Sequence, residues 1–286
     1  MLKKIKQISL LLLLLFICYM LSTSLKEVED LMVHFIDVGQ GDAILLQFKK
    51  ANVLIDTGIE AEYIQLYTYL SKKSVRKIDT LIVTHPDSDH MGAADYVIRD
   101  FSVKKIYMTT YKSKTKEYKE MLRAIKKYKV ERINVKEGST IPVGSLKSMV
   151  LSANTKVDKS NDSSIVLLLQ HGDNRFLFSS DAPAKVENKI KEKYDIDVDV
   201  LKVAHHGSAS SSPIAYLKEA SPEYSIISVG IDNKYGHPVS SVLKRLNKYG
   251  KQTLRTDLCG TIVMASDGNE IACQCERENG TKDVAK

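Results

Sequence analysis

Leu81-Ile82-Val83-Thr84-His85-Pro86-Asp87-Ser88-Asp89-His90-Met91-Gly92 joins an apolar strand to four side chains of metal-ligand type. His85, Asp87, Asp89 and His90 are imidazoles and carboxylates, the donors that hold borderline and hard divalent ions. Pro86 forbids helix across the first pair, so His85 and Asp87 lie in extended backbone and can point the same way. Gly92, Ala93 and Ala94 follow, small enough for a helix to start there and pack closely. The plain alternative is a polar loop with an Asp helix cap.

The whole chain of 286 residues is 43% hydrophobic and 27% charged, the balance of a globular protein with a real core. Its first stretch differs. Lys3, Lys4 and Lys6 precede an apolar run from Ile8 to Leu21, and Ser22, Thr23 and Ser24 come next. That pattern reads as a signal peptide or N-terminal membrane anchor over residues 1–24, with the functional domain at 25–286. The expected location is therefore extracellular or on the outer face of the cytoplasmic membrane. The formal charge of +7 includes those three lysines; the modest excess left suits a polyanionic substrate or an anionic surface. Beyond Cys18 the cysteines are Cys259, Cys273 and Cys275; outside the cell Cys259 can close on either of the others, and three free thiols fit equally.

Along the chain, Leu31 to Val38, Ala43 to Phe48 and Asn52 to Asp56 read as strands. Ile59 to Lys73 has helical spacing, Ile78 to Thr84 is the strand entering the ligand loop, and a helix is expected over Met91 to Asp100. Lys112 to Lys129 is a basic amphipathic helix: either a phosphate-contacting wall or an ordinary solvated face. The second half alternates strand and helix and closes with a hairpin turning at Asp267-Gly268. One α/β domain accounts for this pattern.

The remaining motifs then fall into a known order. Asp37-Val38-Gly39-Gln40-Gly41-Asp42, Leu54-Ile55-Asp56-Thr57-Gly58, His85 to His90, Asn161 to Ser164, Ser180-Asp181, His205-His206-Gly207-Ser208 and Tyr235-Gly236-His237-Pro238 succeed one another. This series resembles the metallo-β-lactamase-like domain of competence protein ComEC, from about Val33 to Ile262. The channel-forming helices of full ComEC have no counterpart in it, so no transport role is carried over.

The resemblance implies an α/β four-layer αββα sandwich with its metals at one edge of the two sheets. By position it implies that His85 and Asp87 bind one divalent ion, that Asp89, His90 and His205 bind a second, and that Asp181 bridges them. The family's usual histidine before the bridging Asp is missing; Asn161 and Ser163 lie near that place as candidates for metal or substrate contact. Asp42, Asp56 and His206 are expected behind the ligands, orienting them. Lys202 is a candidate substrate-phosphate contact, with a surface-directed amine on a buried stem as the plain alternative. Two ions, zinc or manganese, would activate water so that no covalent nucleophile is needed, with Asp89 at the reacting centre. His237 would stabilise developing charge or protonate the leaving group.

The function so implied is an exported metal-dependent phosphodiesterase or nuclease acting on nucleic acid or another phosphodiester. Hydrolysis of a lactone, β-lactam or thioester by the same site is the alternative, as is a non-catalytic envelope binding module.

Overall fold

The computed structural model describes residues 30–154 and 156–277, so the signal or anchor segment expected at 1–24 lies outside the described residues. Three strands open the fold: β1 (Leu31–Phe35), β2 (Ile44–Phe48) and β3 (Ala51–Ile55). A 3-10 turn at Glu60–Glu62 leads into α1 (Tyr63–Lys72), and β4 (Lys77–Val83) delivers the ligand loop. The helix expected over Met91 to Asp100 is two pieces, α2 (Ser88–Met91) and α3 (Ala94–Asp100). Then come β5 (Ser102–Met108), α4 (Lys116–Lys127) and β6 (Glu131–Asn134). Thr115 starts α4 as a cap, its hydroxyl accepting from the Tyr118 amide at 3.3 Å.

The second half runs β7 (Thr140–Val143), β8 (Leu146–Ser152), β9 (Val166–His171), β10 (Asn174–Phe178), α5 (Ala184–Lys193), β11 (Val200–Lys202), α6 (Ile214–Ala220), β12 (Tyr224–Ile227), α7 (Ser240–Tyr249) and β13 (Gln252–Arg255). A short α8 (Thr256–Cys259) precedes the closing hairpin, β14 (Ile262–Ser266) and β15 (Ile271–Cys275). Asp267 shapes its turn by accepting from the amides of Asn269 and Glu270.

Among the described residues two mixed sheets form. One has eight strands ordered β15-β14-β1-β2-β3-β4-β5-β6, and the other seven ordered β13-β12-β11-β10-β9-β8-β7. Period-two patterning places them face to face. Leu31, Val33 and Phe35 on β1, and Ile44 and Leu46 on β2, meet Leu167, Leu169, Phe176 and Phe178 of the other sheet in one core. The opposite-facing Leu45, Leu54 and Leu81 pack on Leu66, Leu70, Val97 and Met121 of the helices outside. Leu177, Leu201 and Ile227 do the same with Ile190, Leu217 and Leu246. Three apolar interfaces separate four layers, the αββα sandwich.

β6, β7 and α8 escape the sequence reading. β6 is a mostly exposed Glu-Arg-Ile-Asn edge strand with little apolar alternation, and β7 carries Pro142, tolerated because it lies at a sheet edge. Cys259 pairs with Cys275, with their Cα atoms 5.0 Å apart, and Cys273 is free. On the basic face of α4, Lys116 meets Glu60 and Glu120, and Arg123 meets Glu120. No described helix is long and apolar enough to cross a membrane.

Candidate metal centre

Strands from both sheets end at one edge of the sandwich, where parallel strands leave room for ligands at their carboxyl ends. β3 leads to Asp56, β4 to Thr84-His85, β10 to Ser180-Asp181, and β11 to His205-His206. Gly41 and Gly92 let the ligand loop settle: a Cβ on Gly41 would stand 2.4 Å from the Asp89 carbonyl, and one on Gly92 2.3 Å from that of Ser88.

Asp181, almost fully buried, is the hub. Its Oδ1 lies 3.1 Å from His90 Nε2 and 3.6 Å from His206 Nε2. Its Oδ2 lies 4.0 Å from His85 Nε2 and 3.6 Å from His205 Nε2. Asp89 Oδ2 is 3.3 Å from His206 Nε2, and Asp87 Oδ2 is 3.5 Å from His85 Nε2. The ligand atoms of Asp89, His90, Asp181 and His206 all lie within 4.8 Å of one another; those of Asp42, Asp56 and His90 form a second such group.

Hydrogen bonds settle which nitrogen each ring turns inward. His90 Nδ1 donates to Asp56 Oδ2 at 2.7 Å, and His206 Nδ1 donates to the Ser228 carbonyl at 2.8 Å. For His85 the argument runs through two hydroxyls. Ser180 Oγ donates to Thr84 Oγ1 at 2.8 Å, and Thr84 Oγ1 donates to Asp56 Oδ2 at 2.6 Å. Both hydroxyl protons are then committed, so His85 Nδ1, 3.2 and 3.3 Å from those oxygens, must be the donor. In the neutral rings the Nε2 atoms of His85, His90 and His206 therefore carry lone pairs turned toward the Asp181 carboxylate. All three are buried without a hydrogen-bond partner, as is Asp181 Oδ1. Orphaned buried acceptors are costly, and here they converge on one point. This donor set fits divalent cations.

The electrostatics agree. Burial pushes the Asp181 carboxyl up, but His90, His206 and His85 outweigh it and hold it well below the usual range. Burial likewise opposes, and His206 and His90 reverse, the shift at Asp89, which ends lowered. Burial lowers His90, yet Asp181 and Asp56 raise it well above its ordinary value; His206 is raised through Asp181 and Asp89 in the same way. The carboxylates draw positive charge onto these rings, and a divalent ion competes with protons for the same nitrogens.

Two histidines exchange the places expected of them. His206 is buried with its Nε2 between Asp89 and Asp181, whereas His205 is 28% exposed on its side chain and faces only the Oδ2 side of Asp181. The cause is the backbone: His205 (φ 52°) and His206 (φ 53°) are consecutive left-handed residues, which swing both side chains off the strand's alternation. Asp56 and Ser180, beside the ligands, also sit at positive φ.

Lys202 is not at the surface. It is completely buried, and its Nζ donates to Asp42 Oδ2 at 2.8 Å and to the Val203 carbonyl at 3.1 Å. Its expected substrate contact is thereby corrected: the amine is consumed by an ion pair behind the ligands. Ser163 is likewise committed, its hydroxyl donating to the Ser160 carbonyl at 2.6 Å. Asn161 does reach the site, with Nδ2 3.5 Å from both ring nitrogens of His205. Asp42 and Asp56 stand behind the rings: Asp42 Oδ1 is 3.6 Å from His206 Nδ1, and Asp56 grips His90 and Thr84.

Asp87, Asp89, Asn161, Asp181, His205 and His206 line an open pocket of about 180 Å³, with Gln40, Tyr235 and His237 at its mouth. His237 stacks on Tyr235 at 5.7 Å between ring centroids. Its loop is cross-braced by Asn233, which donates to the Gly230 and His237 carbonyls and accepts from the His237 amide. Burial, then His205 and His206, lower the His237 pKa. Sequence reading passed over Thr84, Ser180, Gln40 and Tyr235 as site residues; the signal available was their adjacency to His85, Asp181, Asp42 and His237.

A family model described as Metallo-beta-lactamase superfamily matches residues 36–231. ComE operon protein 3 of Bacillus subtilis (strain 168) is 32% identical over 251 residues, covering 80% of this chain and 32% of the relative. Competence protein ComA of Neisseria gonorrhoeae is 31% identical over 229 residues, covering 79% of this chain and 31% of the relative. The chain thus spans about a third of the length of these curated relatives. Among solved structures, the metallo-beta-lactamase fold protein YhfI from Bacillus subtilis superposes with a TM-score of 0.56 at 13% identity, over 79% of this chain and 95% of that one.

Proposed function

Because the chain belongs to the metallo-β-lactamase superfamily, we propose that it is an exported metal-dependent phosphodiesterase acting on nucleic acid. The observation that carries this reading is the convergence of three partnerless buried Nε2 atoms on the two oxygens of Asp181. Asp89, His90, His206 and Asp181 Oδ1 would hold one divalent ion; His85, Asp87 and Asp181 Oδ2, with His205 at the rim, would hold another. When bound, such ions supply Lewis acidity and lower the pKa of water from about 16 toward 7. A carboxylate-rich set suits manganese as well as zinc.

The protein's own groups do the rest. Asp56 and the Ser228 carbonyl lock the His90 and His206 tautomers, and the Ser180–Thr84–Asp56 relay locks that of His85. His237, neutral at pH 7 because its pKa is lowered, keeps one ring proton to offer a phosphoryl oxygen or departing oxygen at the pocket mouth. The relatives named for competence and recombination support nucleic acid as the substrate class. The lysine-led apolar run at the N-terminus supports export.

The test is hydrolysis by the full chain loaded with Mn²⁺ or Zn²⁺, offered a single-stranded oligonucleotide, bis(p-nitrophenyl) phosphate and nitrocefin in parallel. Cleavage of both diesters, lost in Asp181→Asn with circular dichroism unchanged, is expected. Intact diesters beside consumed nitrocefin would overturn the proposal.

A further inference from the structure

A groove larger than the metal-site pocket lies away from it, shares none of its lining residues and takes no part in the chemistry assigned there. It has a volume of about 640 Å³ and runs between α5, the segment after β8, and the β6–β7 connection. Its floor is apolar: Leu151, Ala153, Val186 and Ile190 are all buried. Its rim carries Lys136, Lys156 and Lys189, all exposed and, among the described residues, without a carboxylate partner. The one acid lining the groove, Glu137, is already satisfied by Lys193 and by the Tyr194 hydroxyl at 2.8 Å.

The helix that walls the groove starts near the metal centre. α5 begins just after Asp181-Ala182-Pro183, and Lys185 in its first turn pairs with Asp162, the neighbour of the pocket residue Asn161. From Lys185 to Lys193 the helix advances about 12 Å along the groove. A track whose wall helix begins beside the ligands, and which presents spaced cations over an apolar bed, matches a single nucleic-acid strand. Phosphates pair with the lysines, and sugar and base faces cover the floor. We infer that this groove is a strand-holding subsite that takes up the nucleotides flanking the phosphodiester placed in the metal-site pocket. The inference rests on the phosphodiesterase reading and names the part of its substrate that a small diester lacks.

The test pairs binding with catalysis in the full chain carrying Lys136→Gln, Lys156→Gln and Lys189→Gln together, exposed positions that leave the core untouched. Binding is read by fluorescence anisotropy of a labelled single strand of about 20 nucleotides, in EDTA so that nothing is cleaved. Losing three phosphate contacts should weaken it on the order of tenfold at low salt and flatten the log K against log salt slope by about 2. With metal restored, hydrolysis of bis(p-nitrophenyl) phosphate should match wild type, while kcat/KM on the long strand falls by the binding factor. Unchanged anisotropy, an equal fall on both substrates, or equally strong competition from poly-glutamate would each overturn the subsite. Lysine-dependent strand binding without hydrolysis of any diester would uphold the groove and remove the phosphodiesterase reading.

Discussion

Lys202→Met removes a charge from the interior while keeping the stem's volume. Lys202 is wholly buried and gives Asp42 its nearest cation, 2.8 Å away, while Asp42 Oδ1 already lacks a hydrogen-bond partner. Burial raises the Asp42 carboxyl and Lys202 is the largest influence lowering it, with the net shift downward. Removing one member of such a pair leaves the other charged and desolvated, at about 3–5 kcal/mol. Against a typical total of about 5–15 kcal/mol this is a large loss. Adding Asp42→Asn removes the stranded charge, so the double variant should recover a good part of it, a coupling on the order of 2 kcal/mol. Urea unfolding in EDTA, followed by circular dichroism, reads all three variants against wild type. Additive single and double effects, or a Lys202→Met midpoint within about 1 kcal/mol of wild type, would refute the buried-pair argument. A raised KM on diesters with unchanged stability would instead restore Lys202 to the substrate.

Two further outcomes follow from the ligand loop and from α5. His206→Ala should weaken Mn²⁺ or Zn²⁺ binding by more than about 100-fold in a competition titration with a chelating dye, and His205→Ala by about tenfold or less; the reverse order would show that His205 is the inward ligand. Glu187, buried in α5 and bonded to the Ser212 amide, has its pKa raised from 4.5 to about 8 by burial, against the pull of that amide and of Arg245. The folded state therefore holds a proton that the unfolded chain releases, so stability from this group is full below about pH 4.5 and lost as pH climbs toward 8. The loss is on the order of 4 kcal/mol at pH 8, and Glu187→Gln should erase it in paired unfolding curves; parallel pH profiles for variant and wild type would count against it.

What the sequence disclosed was local. His85 to His90 could be read because the ligand types crowd one strand-to-helix turn, and the β1 and β2 faces because alternation of period two marks which residues point inward. What it withheld depends on distance along the chain or on unusual backbone. Lys202 looked like a surface cation because its acid lies 160 residues away, and the hydroxyl relay that fixes His85 joins Thr84 to Ser180 across 96 residues. Choosing between His205 and His206 needed the two left-handed residues, a conformation that histidine visits more than most but that sequence alone does not place. The lysine-rich helix drew attention because its cations are close in sequence; the cations lining the groove beside α5 come from separate stretches at Lys136, Lys156 and Lys189.

The first strand of the fold is flanked by β2 on one side and by β14 on the other, with Leu31 opposite Ser266 and Phe35 opposite Ile262. Partners more than two hundred residues apart must meet before the larger sheet is continuous. A chain emerging from its amino end can build the β2–β3–β4–β5 block and the entire second sheet while one margin of β1 still lacks its ladder. Such topology is slow to assemble, because a long loop must close before any reward for closing it arrives. Until that last ribbon docks, β1 offers a raw strand margin to any neighbour, and a growing chain is open to wrong pairing there.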